Sequence, residues 1–449
     1  MRIPRKIETT LLDWSRDPYR KVLLLRGARQ IGKTFIVREH AKKHYKHFLE
    51  INFLSDKRIH ALFNQNIEVM TILESLEALY STTLVAKDTL IFFDEIQECP
   101  AALVALRFFY EQRPDIHLIA SGSLLEFALE EISSYGTGRI QSIFMHPVSF
   151  DEFMQASKQE AMLTLLEKAN SSHPVSEPVH KKFLTFFRTF LFLGGLPEVV
   201  SRYLETRNLE ACSRLIDQLR TGFEDDFVKY QKRVPTVRLR EVFRAVAVQA
   251  GKKFVHTHAY PDANAGQVHQ ALELLAKAGI VQKVYHTAAN GIPLGGEINI
   301  KKFKTFPFDH GIYQKAIGVT PAEMVQADFD PINKGAWAEV YAGCALLALG
   351  SAFKKGELHY WHREAKSSNA EVDYVELFAS RIVPIEIKSG TKGQMQSMHR
   401  FLDEKTSKGK GIGIRLSLEN FGRVENILVV PLYAISQLER LVKEYFKTE

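Results

Sequence analysis

A chain of 449 residues is long for a single core and points to two to four domains. Charged residues at 25% and apolar ones at 45% exclude extended disorder, and a net charge of +7 permits nucleic acid as a partner without requiring it. The three cysteines, Cys99, Cys212 and Cys344, lack metal-ligand spacing, and no apolar leader or membrane-length run is present, so a cytoplasmic protein with no membrane partner is expected.

Residues 1–20 read as a helix with an apolar stripe of Ile7, Leu11, Leu12 and Trp14, a packing element. The apolar run Val22 to Leu25 then feeds Gly27, Ala28, Arg29, Gln30, Ile31, Gly32, Lys33 and Thr34, followed by a helical pattern. This is G-x-x-x-x-G-K-[ST] in a strand-loop-helix setting. Such a loop wraps a polyphosphate, with Lys33 supplying charge to the β- and γ-phosphates and Thr34 a hydroxyl to Mg²⁺. ATP and Mg²⁺ are therefore the expected cofactors.

Phe48 to Phe53 reads as a second strand. Thr89 to Phe93 is an unbroken apolar run ending in Asp94 and Glu95, the pattern of a central parallel strand with carboxylates at its carboxyl end. There Asp94 would hold Mg²⁺ and Glu95 would polarise the attacking water; a helix N-cap with a solvated neighbour is the plainer alternative. A helix around Leu103 to Arg113 precedes the strand Ile116 to Ala120, which ends in Ser121-Gly122-Ser123. Ser121 or Ser123 can sense the γ-phosphate or merely cap the next helix. Arg139 fits either an arginine finger or an ordinary surface arginine.

Ser171, Ser172, Pro174 and Pro178 mark residues 155–180 as a flexible insertion. A helical region follows, interrupted by Gly194-Gly195-Leu196-Pro197, where a proline ring can pack flat on a purine or simply close an inter-helix turn.

Together, Gly27 to Thr34, Phe92 to Gln97, Ser121 to Ser123, Gly138-Arg139, Pro147 to Phe150 and Gly194 to Pro197 resemble the AAA-type P-loop ATPases of bacteria and archaea, in the group related to the archaeal-type ATPases and signal-transduction NTPases. That resemblance covers roughly residues 20–200 and implies an adenine contact for Pro197 and a sensor or finger role for Arg139. Self-association would follow if Arg139 acted in trans.

Glu224-Asp225-Asp226 reads as a solvated face. Helical patterns over Leu239 to Ala250 and Ala265 to Ala278, then a strand from Gly279 to Tyr285 and a hairpin, resemble a winged helix, which this family commonly carries here. Its second helix is only weakly basic, which favours packing or relay over base reading. Lys301, Lys302 and Lys304 suit either phosphate contacts or a solvated wing edge.

Beyond Pro331, Asn333 to Glu339 opens a new helix, and strands are expected at Leu358 to His362, Glu371 to Val375 and Ile382 to Lys388. Glu339, Asp373, Glu386 and Lys388 would meet at one site. Asp373 and Glu386 suit Mg²⁺, with Lys388 orienting water for phosphodiester cleavage. The order resembles the PD-(D/E)XK nuclease fold, with Val372 standing where the pattern has proline. A fold of this kind also serves as a binding platform.

The expected architecture is thus α/β: a P-loop parallel-sheet core over 1–153, a helical lid over 154–235, a winged-helix connector over 236–320 and a C-terminal restriction-endonuclease-like domain over 330–449. The favoured activity is ATP hydrolysis coupled to binding or cutting nucleic acid, DNA foremost. A signalling or scaffolding switch with a non-cleaving C-terminal domain is the alternative.

Overall fold

The computed structural model describes residues 2–65, 68–131, 138–230, 233–260, 264–325, 335–363, 369–388, 395–406 and 411–448. The start expected for the helix at Asn333 and Lys334 lies outside the described residues.

Five strands form the first sheet: β1 (Val22–Arg26), β2 (His47–Asn52), β3 (Thr89–Asp94), β4 (His117–Ser121) and β5 (Ile140–Phe144). Their order is β2-β3-β4-β1-β5 and every pairing is parallel. On β1 the alternation of side chains divides the run between two cores, Leu23 and Leu25 on one face, Val22 and Leu24 on the other. Both faces are covered, which is why β3 reads as unbroken apolar sequence and is buried throughout. The chain is a mixed α/β protein whose parallel sheet has the P-loop NTPase arrangement, with strand order reversing around β1 so that the carboxyl ends of β1 and β3 open onto one crevice.

Helices follow at Phe150–Ala156, Glu160–Lys168, Glu177–Leu193, Pro197–Thr206 and Leu209–Asp225. The first is started by a capping box, Ser149 with Glu152. Within 155–180, read from the sequence as a flexible insertion, Glu160–Lys168 is a helix that buries Met162, Leu163 and Leu166, a spacing that lines one helical face. Ser171, Ser172 and Pro174 lie in the short link after it, where Asn170 closes a turn on Ser172 and His173, while Pro178 sits in the first turn of the Glu177–Leu193 helix.

Two helices, Thr236–Val248 and Ala265–Lys277, precede the hairpin of β6 (Val281–Thr287) and β7 (Ile298–Pro307). The helix Ala336–Leu349 and strands β8 (Leu358–His362), β9 (Glu371–Phe378), β10 (Arg381–Ile387), β11 (Gly413–Ser417), β12 (Gly422–Val424) and β13 (Ile427–Pro431) complete the chain's second sheet. The order is β12-β13-β11-β10-β9-β8-β6-β7. Because β6 pairs in parallel with β8, the hairpin and the C-terminal strands share one sheet across the boundary expected between 320 and 330. The helical region also packs on the C-terminal part: Phe183 stacks on Tyr433, and Tyr433 Oη hydrogen-bonds His180 Nδ1 at 2.8 Å. Among the described residues, no helix is long and apolar enough to cross a membrane.

Candidate functional site

A cavity of about 550 Å³ lies at the carboxyl ends of β1 and β3, lined by Gln30, Gly32, Lys33, Thr34, Asp94 and Glu95 among others. The loop entering it requires glycine at its first position. Gly27 has φ +140°, and a Cβ there would lie 2.7 Å from Ile31 Cδ1 and closer still to the carbonyl oxygen of Met145. Gly32 precedes the Lys33–His44 helix without a side-chain cap, and Lys33, Thr34 and Phe35 of its first turn all line the cavity.

Lys33 is 7% exposed, and its ammonium donates to the carbonyls of Gly27 at 2.9 Å and Ala28 at 2.7 Å. Burial lowers its pKa to about 8, against the pull of Glu95 and Asp94. Thr34 Oγ1 donates to Asp94 Oδ2 at 3.0 Å, and Ser121 Oγ donates to Asp94 Oδ1 at 2.7 Å. Burial pushes the Asp94 carboxyl up, and these two hydroxyls pull it back. A hydroxyl and a carboxylate already at hydrogen-bonding distance are the donor pair that Mg²⁺ takes, so the residues present fit that ion.

Glu95 follows with φ +50°. Its Oε2 accepts from Ser123 Oγ at 3.0 Å and from Gln97 Nε2 at 2.6 Å, which fixes a carboxylate at the cavity wall. The two serines thus divide the work: Ser123 lines the cavity and steadies Glu95, while Ser121 is fully buried and meets the site through Asp94. The Pro197 ring lies against Gly32 and lines the cavity. Arg139 is not among the lining residues; it pairs with Glu111 and is about half exposed.

Two participants escaped the sequence reading. Arg5, within the residues 1–20 read only as a packing element, lines the cavity with its side chain buried. It donates to the carbonyls of Ile31 at 3.1 Å and His146 at 2.6 Å, and to Glu152 at 3.1 Å, so it braces the loop from behind. Asp226, expected on a solvated face, instead pairs with Arg29 of the loop and with Lys229 at 2.9 Å.

The charge state of Lys33 gives a measurable signature. Its folded pKa lies below that of free lysine, so between about pH 8 and 10.5 the unfolded chain holds more protons and this group's contribution to stability rises with pH. A polyphosphate beside the ammonium draws the pKa back up. ATP binding at about pH 9 is therefore expected to take up protons, and at about pH 7 hardly any. Calorimetry in two buffers of different ionisation enthalpy reads this directly, and equal heats at pH 9 would remove Lys33 from the phosphates.

Residues 19–154 match the family model described as an AAA domain. Two further models match beyond it, both domains of unknown function: DUF8612 over 184–323 and DUF4143 over 334–435. Among solved structures the chain is similar to a Walker-type ATPase of Pyrococcus abyssi, at 14% identity and a TM-score of 0.46, over 70% of this chain and 96% of that one. It is also similar to the RuvB Holliday junction branch migration motor of Thermotoga maritima, at 13% identity and a TM-score of 0.29, over 62% and 89%. No curated protein matches the chain. The segment matched by the AAA model carries every residue of the phosphate-binding loop and both carboxylates at the end of β3.

Outside the matched segment, Glu339, Asp373, Glu386 and Lys388 lie close to one another. Asp373 on β9 accepts from the Ile387 backbone N–H at 2.8 Å, and Lys388 pairs with Glu386 at 2.5 Å. A fifth and a sixth residue join them. Lys304, on β7, places its ammonium 2.9 Å from Glu339, 2.7 Å from Glu371 and 3.9 Å from Asp373. At 2% exposure Lys304 is neither a phosphate contact on the surface nor part of a solvated wing edge, the two roles open to it from sequence. Burial works against its charge, but Glu339, Asp373 and Glu371 outweigh it and raise the pKa.

This second cluster was read from sequence as an Mg²⁺ site on Asp373 and Glu386. Among the described residues, no group of three or more His, Cys, Asp or Glu is arranged to hold a metal ion. The Lys304 ammonium stands among Glu339, Glu371 and Asp373.

Proposed function

We propose that the chain is an ATP-hydrolysing switch whose nucleotide state is passed to its C-terminal half, which binds a partner without cutting it. The observation that carries this reading is the convergence of Lys33, Thr34, Asp94 and Glu95 on one cavity. Lys33 and the first-turn N–H groups bind and orient the phosphates; Thr34 and Asp94 hold Mg²⁺, which neutralises charge on the transferring group. Glu95, steadied by Ser123 and Gln97, takes a proton from the attacking water. Pro197 contacts the adenine.

Transmission has a physical basis. A Cβ on Gly279, in the turn between Ala265–Lys277 and β6, would lie 3.6 Å from Ala28 Cα, and Arg29 pairs with Asp226. Phosphates seated against Ala28 and Arg29 therefore press on both neighbours. The two helices and hairpin from 236 to 307 form a winged-helix connector in this reading, acting as a relay. Arg139 serves as a finger only toward a neighbouring subunit, since within the chain it faces Glu111, so self-association belongs to the same proposal. A cytoplasmic setting suits an ATP-dependent protein.

Nucleic acid, DNA foremost, is the partner class this reading takes, which the net charge of +7 permits. The test incubates the purified chain with single- and double-stranded DNA and RNA, with Mg²⁺ or Mn²⁺, with and without ATP. ATP turnover with no cutting is expected. Cutting that disappears in Asp373→Ala would replace this reading with a metal-dependent nuclease.

A further inference from the structure

We propose that the Lys304 ammonium is the built-in cation of the Glu339, Glu371 and Asp373 cluster, standing where a divalent metal would otherwise sit. It deepens the non-cleaving reading above, which rests on the same cluster, and reaches it through metal occupancy instead of activity.

Three elements deliver carboxylates to one place: the Ala336–Leu349 helix brings Glu339, β9 brings Glu371 and Asp373, and β10 brings Glu386. Carboxylates packed so closely in a buried setting repel one another unless a cation is present. Lys304 supplies it from a strand remote in sequence, held by pairing with Val284 on β6 and a bridge to Lys253. Its Nζ also lies 5.3 Å from the ring centre of Tyr360, which favours a cation on that side.

Each carboxylate of the cluster has at least one oxygen engaged within it. One Asp373 oxygen accepts from Ile387 and the other faces Lys304; Glu386 Oε1 is paired with Lys388. Glu386 Oε2 is buried without a hydrogen-bond partner. Mg²⁺ demands a near-octahedral oxygen set and room for its waters, and the Lys304 ammonium holds the place between Glu339, Glu371 and Asp373 that such an ion would need. A lysine cannot do a metal's chemistry: it offers no exchangeable coordination position for a phosphodiester oxygen or an activated water. It does place one fixed positive charge among the three carboxylates, at any metal concentration.

The test uses the full chain without nucleotide or nucleic acid, so that failure of the ATP switch or of partner binding does not enter. Mn²⁺ binding is followed by loss of the free-ion paramagnetic resonance signal in wild type, Lys304→Met, Asp373→Asn and the double variant. Wild type and Asp373→Asn are expected to bind alike, showing no Asp373-dependent Mn²⁺. Lys304→Met is expected to gain one site, tighter than any wild-type binding by about tenfold or more, and to lose it in the double variant. Thermal unfolding should follow: Lys304→Met melts lower in chelator and recovers with Mn²⁺, while wild type does not respond through Asp373. Asp373-dependent Mn²⁺ binding in wild type overturns the proposal, and that measurement stands even where Lys304→Met fails to fold. A folded Lys304→Met that takes up no Mn²⁺ overturns it equally.

Discussion

Lys33→Ala is expected to lower ATP turnover by at least about a hundredfold while leaving the fold intact. The size follows from placement. The ammonium is buried in the loop and bonded to the carbonyls of Gly27 and Ala28, so it is already inside the water-poor pocket where a positive charge acts most strongly on phosphate oxygens. The stability effect has the opposite sign from the usual buried-residue truncation. Burial lowers the Lys33 pKa, meaning that the folded chain holds this charge at a cost, so its removal should leave the unfolding midpoint unchanged or raise it. Two measurements on one preparation separate the effects: ATP turnover, and thermal unfolding with and without Mg²⁺-ATP. The wild-type midpoint should rise with nucleotide and that of the variant should not. Unchanged turnover would reject the phosphate role of Lys33.

The second large effect concerns stability. Gly194→Ala is expected to destabilise the chain by about 2 to 5 kcal/mol, combining a left-handed backbone with steric overlap. Gly194 has φ +75°, and a Cβ there would lie 2.7 Å from Gly311 Cα, 2.8 Å from its nitrogen and closer still to Asp309 Oδ1. Nothing at that contact is a flexible side-chain end. Asp309 is buried and fully engaged, accepting from the N–H groups of Gly195 at 2.6 Å, Gly311 at 2.9 Å and Ile312 at 3.0 Å. The Gly194-Gly195 turn is therefore clamped to the start of the His310–Ala316 helix, and it sets the position of Pro197 three residues on. Denaturant unfolding reads the loss, and weaker ATP binding should accompany it. A midpoint within about 0.5 kcal/mol of wild type would show that the clamp yields without cost.

How much of this was legible depended on whether a residue's role is set locally. The loop from Gly27 to Thr34 and the run ending in Asp94 are fixed by neighbours in sequence: an apolar strand buried on both faces, then a tight turn. Ser121 and Glu95 were also within reach, because a parallel sheet brings the ends of β3 and β4 side by side. Arg5 and Asp226 were not, since each is positioned by a partner far along the chain, Glu152 in one case and Arg29 in the other. Lys304 is the clearest instance. From sequence it is one lysine in a cluster on a hairpin, and clustered lysines are ordinarily solvated. Only the parallel pairing of β6 with β8 carries that hairpin into the sheet and turns Lys304 toward Glu339 and Glu371.

That pairing governs how the protein can be taken apart. A fragment starting near residue 334 keeps β8 but loses β6, leaving a bare strand edge with unsatisfied backbone groups and a tendency to aggregate. The same cut discards Lys304 and leaves Glu339, Glu371 and Asp373 uncompensated. Metal uptake or strand scission observed with such a piece would describe a cluster stripped of its Lys304 ammonium, so dissection of this protein has to keep residues 281–307 with the C-terminal strands.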